Sequence, residues 1–136
     1  MKEMIIHPDE ISKQWIDRMS QNGIDVLGIH PVGGIRAADS LKKLLEQCKT
    51  AEYQSLIDYA RVNHMEVEYE FHAAGYLMPK ELFETHPEYF RMNEKGERSN
   101  DFNFCVSNEE AMTLVAQNAA KLASALYRCR PVFYFW

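Results

Sequence analysis

Three residues with chemically versatile side chains stand at the ends of two segments that read as β-strands. The largely apolar segment Ile24–His30 ends in His30, and the segment Met65–His72 ends with Glu70 and His72. Two imidazoles and a carboxylate can ligate a divalent metal, hydrogen-bond a polar ligand, or play a purely structural part. The residues leave these alternatives open, and we favour hydrogen bonding to a ligand over a metal site.

The order of the elements predicts where these side chains lie. A third strand segment covers Pro131–Trp136, and helical segments separate all three strands. Strands that alternate with helices predict an α/β fold with a parallel sheet, which places its chemistry at the carboxyl ends of the strands. Glu66, Glu68 and Glu70 alternate with apolar residues, which is typical of a barrel strand whose inward face holds polar side chains.

Helix boundaries follow from capping residues. Asp9 is a candidate N-cap for the first helix, and Gly23 is a candidate stop. Ser107 and Glu110 have the spacing of a capping box, which predicts the start of the longest helix. The predicted helical segments are residues 9–22, 40–48, 51–63, 79–83 and 107–127.

Composition and charge exclude several classes of protein. The 136 residues include 20 acidic and 15 basic ones, and no basic stripe stands out, so we expect no nucleic-acid partner. No apolar run approaches the about 20 residues that span a bilayer. The start of the chain does not resemble a signal peptide, so we expect a cytoplasmic protein without a membrane partner, unless an export signal lies upstream. Three separate cysteines predict neither disulfides nor a zinc site. No glycine-rich phosphate loop is found, so we expect no cofactor, and no nucleophile elbow indicates a catalytic serine.

Aromatic residues and amides suggest a chemical class for the ligand. Rings near carboxylates and amides suit sugars, because pyranose faces are apolar and sugar hydroxyls need planar hydrogen-bond partners. Most of the rings between residues 76 and 104 should pack within their own segment, whereas Trp136 ends a strand. The candidate ligand-binding residues are therefore His30, Glu70, His72, Asn103 and Trp136.

The middle of the chain carries a recognisable pattern. It consists of a strand ending in His72, Leu77-Met78-Pro79, HPEYF at residues 86–90, Gly96-Glu97-Arg98, and Cys-Val-Ser-Asn at residues 105–108. This pattern resembles an uncharacterised bacterial family of TIM-barrel domains of unknown function, which is glycoside-hydrolase-like and related to alpha-glucuronidase and hexosaminidase barrels. The runs NGIDVLGIH at 22–30 and VFYFW at 132–136 resemble that family's first and third barrel strands.

The resemblance implies a partial (β/α)8, TIM-barrel-like fragment with about three parallel strands and outer helices, in a single domain over residues 1–136. A complete barrel has eight strands in about 250 residues, so the chain looks like the amino-terminal part. In related sugar-cleaving barrels the catalytic carboxylates lie on strand four or later, and hydrolysis usually needs two of them. The implied function is a carbohydrate-active fragment that binds a saccharide at the strand carboxyl ends and is not catalytic alone.

Two alternative functions follow from the same residues. The first is a non-catalytic binding or assembly module that associates with itself through an open sheet edge. The second is a metal-dependent hydrolase that uses His30 and His72.

Self-association is also expected on energetic grounds. Three parallel strands cannot close a barrel, so the edges stay unpaired and an inward face, taken to include Val26, Val67, Val132 and Tyr134, loses its cover. Exposing several hundred Å² of such surface costs several kcal/mol at about 25 cal/mol per Å². We therefore predict a homo-oligomer with Val132–Trp136 at or near the interface.

Overall fold

A computed structural model describes residues 1–101, 103–126 and 132–135 of the chain. The chain forms two compact units, one of Met1–His72 with Ala125–Trp136, and one of Ala73–Ser124. The single domain over residues 1–136 stays a prediction.

The first unit is built on a four-stranded, all-parallel sheet whose strands are neighbours in chain order. Its strands are β1 (Glu3–Ile6), β2 (Val26–Ile29), β3 (Glu66–Phe71) and β4 (Val132–Phe135). The predicted α/β class with parallel strands is confirmed. The expected number of about three strands is too low, because β1 was not predicted.

Strand β1 is defined by its pairing with β2 more than by its own sequence. It has four residues, too few to show a clear alternation. Hydrogen bonds fix its place: the carbonyl of Lys2 accepts from Asp25 and Val26, and the N–H of His30 donates to the carbonyl of Ile6 at 3.0 Å. The amino-terminal residues therefore form an edge strand of the sheet.

The two faces of the sheet differ in chemistry. The register pairs Gly28 with Glu68 and Leu27 with Val67, and side chains alternate between faces along each strand. We call the side that carries the glutamates the polar face: Glu3, Val26, Gly28, His30, Glu66, Glu68, Glu70, His72 and Tyr134. The opposite side is the aromatic face: Leu27, Ile29, Val67, Tyr69, Phe71, Phe133 and Phe135.

The β2 and β3 residues of the aromatic face form a buried core with helix α3 (Ala51–Val62). Tyr69, Phe71 and Phe133 lie with ring centroids 5.9–6.2 Å apart, and the hydroxyls of Tyr53 and Tyr69 are 3.3 Å apart. Val67 belongs to this face, so its expected position beside Val26 on the inward face is wrong. The reason is the strict alternation of strand side chains, since Val26 pairs with Glu66.

Two further helices belong to the first unit: α1 (Lys13–Gln21) and α2 (Ala37–Gln47). The Ser12 hydroxyl caps α1 by accepting from the N–H of Trp15 at 3.3 Å, so the Asp9 cap is wrong. Residues around Asp9 instead form a turn in which the Glu10 carboxylate accepts from the N–H of His7 at 2.8 Å. The stop at Gly23 is confirmed by its φ of +66°, which glycine adopts without a steric penalty.

The second unit has little regular structure before its long helix. Helix α4 covers Ala74–Leu77, short 3₁₀ turns cover Lys80–Glu84 and Pro87–Tyr89, and α5 covers Glu109–Leu126 and thus runs on into the first unit. Residues 94–96 form a turn in which Gly96 has a φ of +79°, a value that favours glycine. Among the described residues, no helix is long and apolar enough to cross a membrane.

The N-cap of α5 lies one residue later than predicted. The side-chain carbonyl of Asn108 accepts from the N–H of Ala111 at 2.8 Å, so Asn108 is the N-cap in place of Ser107. The Glu110 carboxylate accepts from the Tyr89 hydroxyl at 3.0 Å instead of completing a capping box. The predicted end near Tyr127 lies outside the described residues.

Candidate functional site

The structure brings together His30, Glu70 and His72 at the carboxyl ends of β2 and β3. His30 Nδ1 lies 3.6 Å from Glu70 Oε2. The rings of His30 and His72 meet edge to face, with centroids 5.0 Å apart and planes at 66°. Glu70 is 8% exposed, His30 is partly exposed and His72 is exposed. A buried carboxylate therefore lies beneath two accessible imidazoles.

The main chain holds His30 in place from both sides. Its N–H donates to Ile6 at the end of β1, and its carbonyl accepts from His7 Nδ1 at 2.7 Å. His7 thus belongs to the same edge of the sheet. Sequence reasoning missed it because β1 was not recognised, although an isolated His after two isoleucines was the available signal.

The loop after β2 packs closely on His72. A Cβ atom at Gly33 would lie 2.2 Å from His72 Cδ2 and 2.8 Å from its Nε2, so no larger residue fits while the ring stays in place. The next residue, Gly34, has a φ of +64° and open space where its Cβ would be. The two glycines are therefore required for different reasons. Gly33 leaves room for the His72 ring, and Gly34 allows a backbone conformation with positive φ.

The polar face beneath the histidines is acidic. Glu68 is 7% exposed and lies beside Glu70 on the same face, and Glu3 reaches this pair from β1. Partial burial, followed by the negative charges of Glu68 and Glu70 and a hydrogen bond with Glu70, raises the pKa of Glu3 above its usual value. The charge of Glu68 is the main cause that raises the pKa of Tyr134. Sequence reasoning found Glu70 but assigned no role to Glu3 or Glu68.

No metal site is visible in the parts of the chain that the structure describes. In residues 1–101, 103–126 and 132–135, no group of three or more His, Cys, Asp and Glu residues has an arrangement that could hold a metal ion.

Of the other two candidate residues, one belongs to the second unit and the other lies outside the described residues. Asn103 belongs to the second unit, where its N–H donates to Asp101 Oδ1 at 2.9 Å and its carbonyl accepts from the N–H of Arg91 at 3.4 Å. Arg91 and Asp101 also form an ion pair. The backbone of Asn103 thus supports a turn, while its side chain is exposed. Trp136 lies outside the described residues.

The fold and this site define an α/β protein with a polar, histidine-bearing edge on a parallel sheet. Residues 37–126 match a family described as "Domain of unknown function (DUF4838)". The match covers more than half of the chain, so the chain belongs to this family. No curated protein matches the chain.

Proposed function

We propose that this chain binds a saccharide at the carboxyl ends of β2 and β3, as part of a glycoside-hydrolase-like barrel in a bacterial, cytoplasmic protein. The observation that carries the proposal is the assembly of His30, Glu70 and His72 at one edge of the sheet. A carboxylate accepts hydrogen bonds from sugar hydroxyls, and each imidazole offers one donor and one acceptor. The sequence resemblance stated above supports the barrel and the sugar class.

The contact between Glu3 and Glu70 argues against hydrolysis by this pair of carboxyl groups. Glycosidases use two carboxyl groups about 5–5.5 Å apart when they retain configuration, and about 6.5–9.5 Å apart when they invert it. Glu3 and Glu70 are hydrogen-bonded to each other, which is closer than either mechanism allows. We therefore propose that Glu70 positions hydroxyl groups and does not form a catalytic pair with Glu3.

Binding assays with matched variants test this proposal. Neutral mono- and oligosaccharides would be screened by saturation-transfer NMR, and the best ligand would be titrated by calorimetry. We expect Glu70→Gln to weaken binding about 10-fold or more, since a hydrogen bond to a charged group contributes about 1.5–3 kcal/mol. Glu66→Gln is the control, because Glu66 lies on the same face and strand at the amino end and is exposed.

A second matched pair tests the histidine. His72→Asn should weaken binding, while His64→Asn should not, because His64 lies before β3, at the strand end opposite to the site, and its φ of +61° is one that Asn tolerates. Equal affinities for all four variants and the unchanged protein would place any saccharide elsewhere. Failure of every saccharide in the screen would reject the ligand class.

A specific observation also favours self-association as a second function. Tyr134 and Phe135 on the edge strand β4 are 43% and 40% exposed, which is a large exposure for aromatic side chains. Among the described strands, β4 pairs with β3 alone. We propose that a second copy of the chain covers this strand, so that the protein is a homo-oligomer.

A further inference from the structure

The edge strand β1 adds a carboxyl group to the polar face. Glu3 lies within hydrogen-bonding distance of Glu70, and both carry carboxyl groups. Two ionised carboxylates have only acceptors, so a hydrogen bond between them requires a proton on one of the two. The pair therefore has the chemistry of a carboxylic acid bonded to a carboxylate.

Glycine at position 28 makes this contact across β2 geometrically possible. A Cβ atom at Gly28 would lie 2.6 Å from Glu3 Oε1 and 2.9 Å from a side-chain carbon of Ile5. Any larger residue would therefore push the Glu3 carboxyl out of its position. The Glu3 side chain lies over β2 in the space that Gly28 leaves open.

The groups around the pair offer little positive charge. Among the described strand residues on the polar face, none is Lys or Arg. The titratable groups on the same face as the pair are Glu66 and Glu68 on β3, Tyr134 on β4, His7 after β1, His30 after β2 and His72 after β3. Of these, His30 has its Nδ1 3.6 Å from Glu70. Gathering negative charge in a partly buried place without a cation is costly, and protonation of one carboxyl removes most of that cost.

We propose that Glu3 and Glu70 share one proton in the folded protein, and that the attachment of edge strand β1 therefore depends on pH. The same proton makes the charge of the carboxyl group at the candidate binding site depend on pH. The second part rests on the proposed function, because Glu70 belongs to that site. The first part does not, because it concerns the folded chain without a ligand.

The direction of the pH effect follows from the raised pKa of Glu3. A carboxyl group whose pKa is higher in the folded state contributes stability that is complete below its unfolded value of about 4.5. That contribution is lost as the pH rises through the folded value. Glu3 is the carboxyl group whose pKa is raised, so the shared proton is assigned to Glu3.

Stability as a function of pH tests the shared proton. Urea unfolding would be followed from pH 4 to pH 8 for the unchanged chain, Glu3→Gln and Glu66→Gln. We expect the urea midpoint of the unchanged chain and of Glu66→Gln to fall as the pH rises. Glu3→Gln should lack this fall, because the amide of Gln can donate a hydrogen bond to Glu70 at every pH. The same fall in the Glu3→Gln curve would overturn the proposal.

Direct titration of the carboxyl groups gives an independent readout. Carbon-13 NMR of the side-chain carboxyls should show Glu3 titrating above the usual range in the unchanged chain. Glu70→Gln and Gly28→Ala should each move the Glu3 titration back towards the usual range, the first by removing the partner and the second by displacing the side chain. A Glu3 titration that is ordinary in the unchanged chain would overturn the proposal. Neither experiment contains a saccharide, so its outcome is distinct from that of the binding assays.

Discussion

Replacing Gly33 by Ala should disrupt the candidate site through one steric contact. The new Cβ would lie 2.2 Å from His72 Cδ2, about 1.3 Å less than the ~3.5 Å of ordinary carbon contact. The backbone itself tolerates Ala, because Gly33 has a φ of −86°. His72 is exposed, so its ring can turn away, at a cost of about 0.5–1.5 kcal/mol for a strained rotamer and about as much again for the lost ring contact.

Gly34→Ala is a control with a similar effect on stability and a different effect on the site. Gly34 has a φ of +64° and nothing near its missing Cβ, so Ala costs about 1–2 kcal/mol in backbone strain and leaves His72 untouched. Chemical denaturation would measure the two free energies of unfolding, and a nuclear Overhauser effect between the His30 and His72 rings would report their contact. We expect the ring contact to disappear in Gly33→Ala alone. Its survival there, or its loss in both variants, would refute the role assigned to Gly33.

Two further predictions concern the helix start in the second unit and the sheet edge in the first. Asn108→Ala should destabilise the protein by about 1 kcal/mol through loss of the α5 cap, whereas Ser107→Ala should change the unfolding free energy much less; the reverse order would restore Ser107 as the cap. Sedimentation equilibrium should find a dimer or larger oligomer at micromolar concentration, and Tyr134→Lys should shift it towards monomer; a stable monomer in the unchanged protein would contradict self-association.

The parallel sheet could be predicted where a strand has enough residues to show its pattern. The apolar run around β2 and the alternating glutamates of β3 were sufficient, and they also placed His30, Glu70 and His72 at the same edge. Strand β1 could not be predicted, because four residues are too few to show an alternating pattern and the strand is recognised by its hydrogen bonds to β2. The position of Glu3 on the polar face could therefore not be predicted either.

Errors in detail came from local alternatives with similar chemistry. Ser12 and Asp9 are both good N-caps, as are Asn108 and Ser107, and tertiary packing selects one of each pair. Val67 lies on the aromatic face because side chains alternate along β3, so its apolar character alone predicts the wrong face. Gly28 and Gly33 could not be assigned either, since a glycine required by close packing is recognised only when the neighbouring side chain is known.

NMR of the histidine rings during a saccharide titration tests the central claim most directly. The ring signals of His30 and His72 would be assigned with His30→Asn and His72→Asn, and followed while the best neutral saccharide is added. Because both rings lie at the site with Glu70 beneath them, we expect both sets of signals to shift with the same saturation curve, and those of His64 and His86 to stay unchanged. Saturable binding that leaves the signals of His30 and His72 unchanged would contradict a saccharide site at the carboxyl ends of β2 and β3.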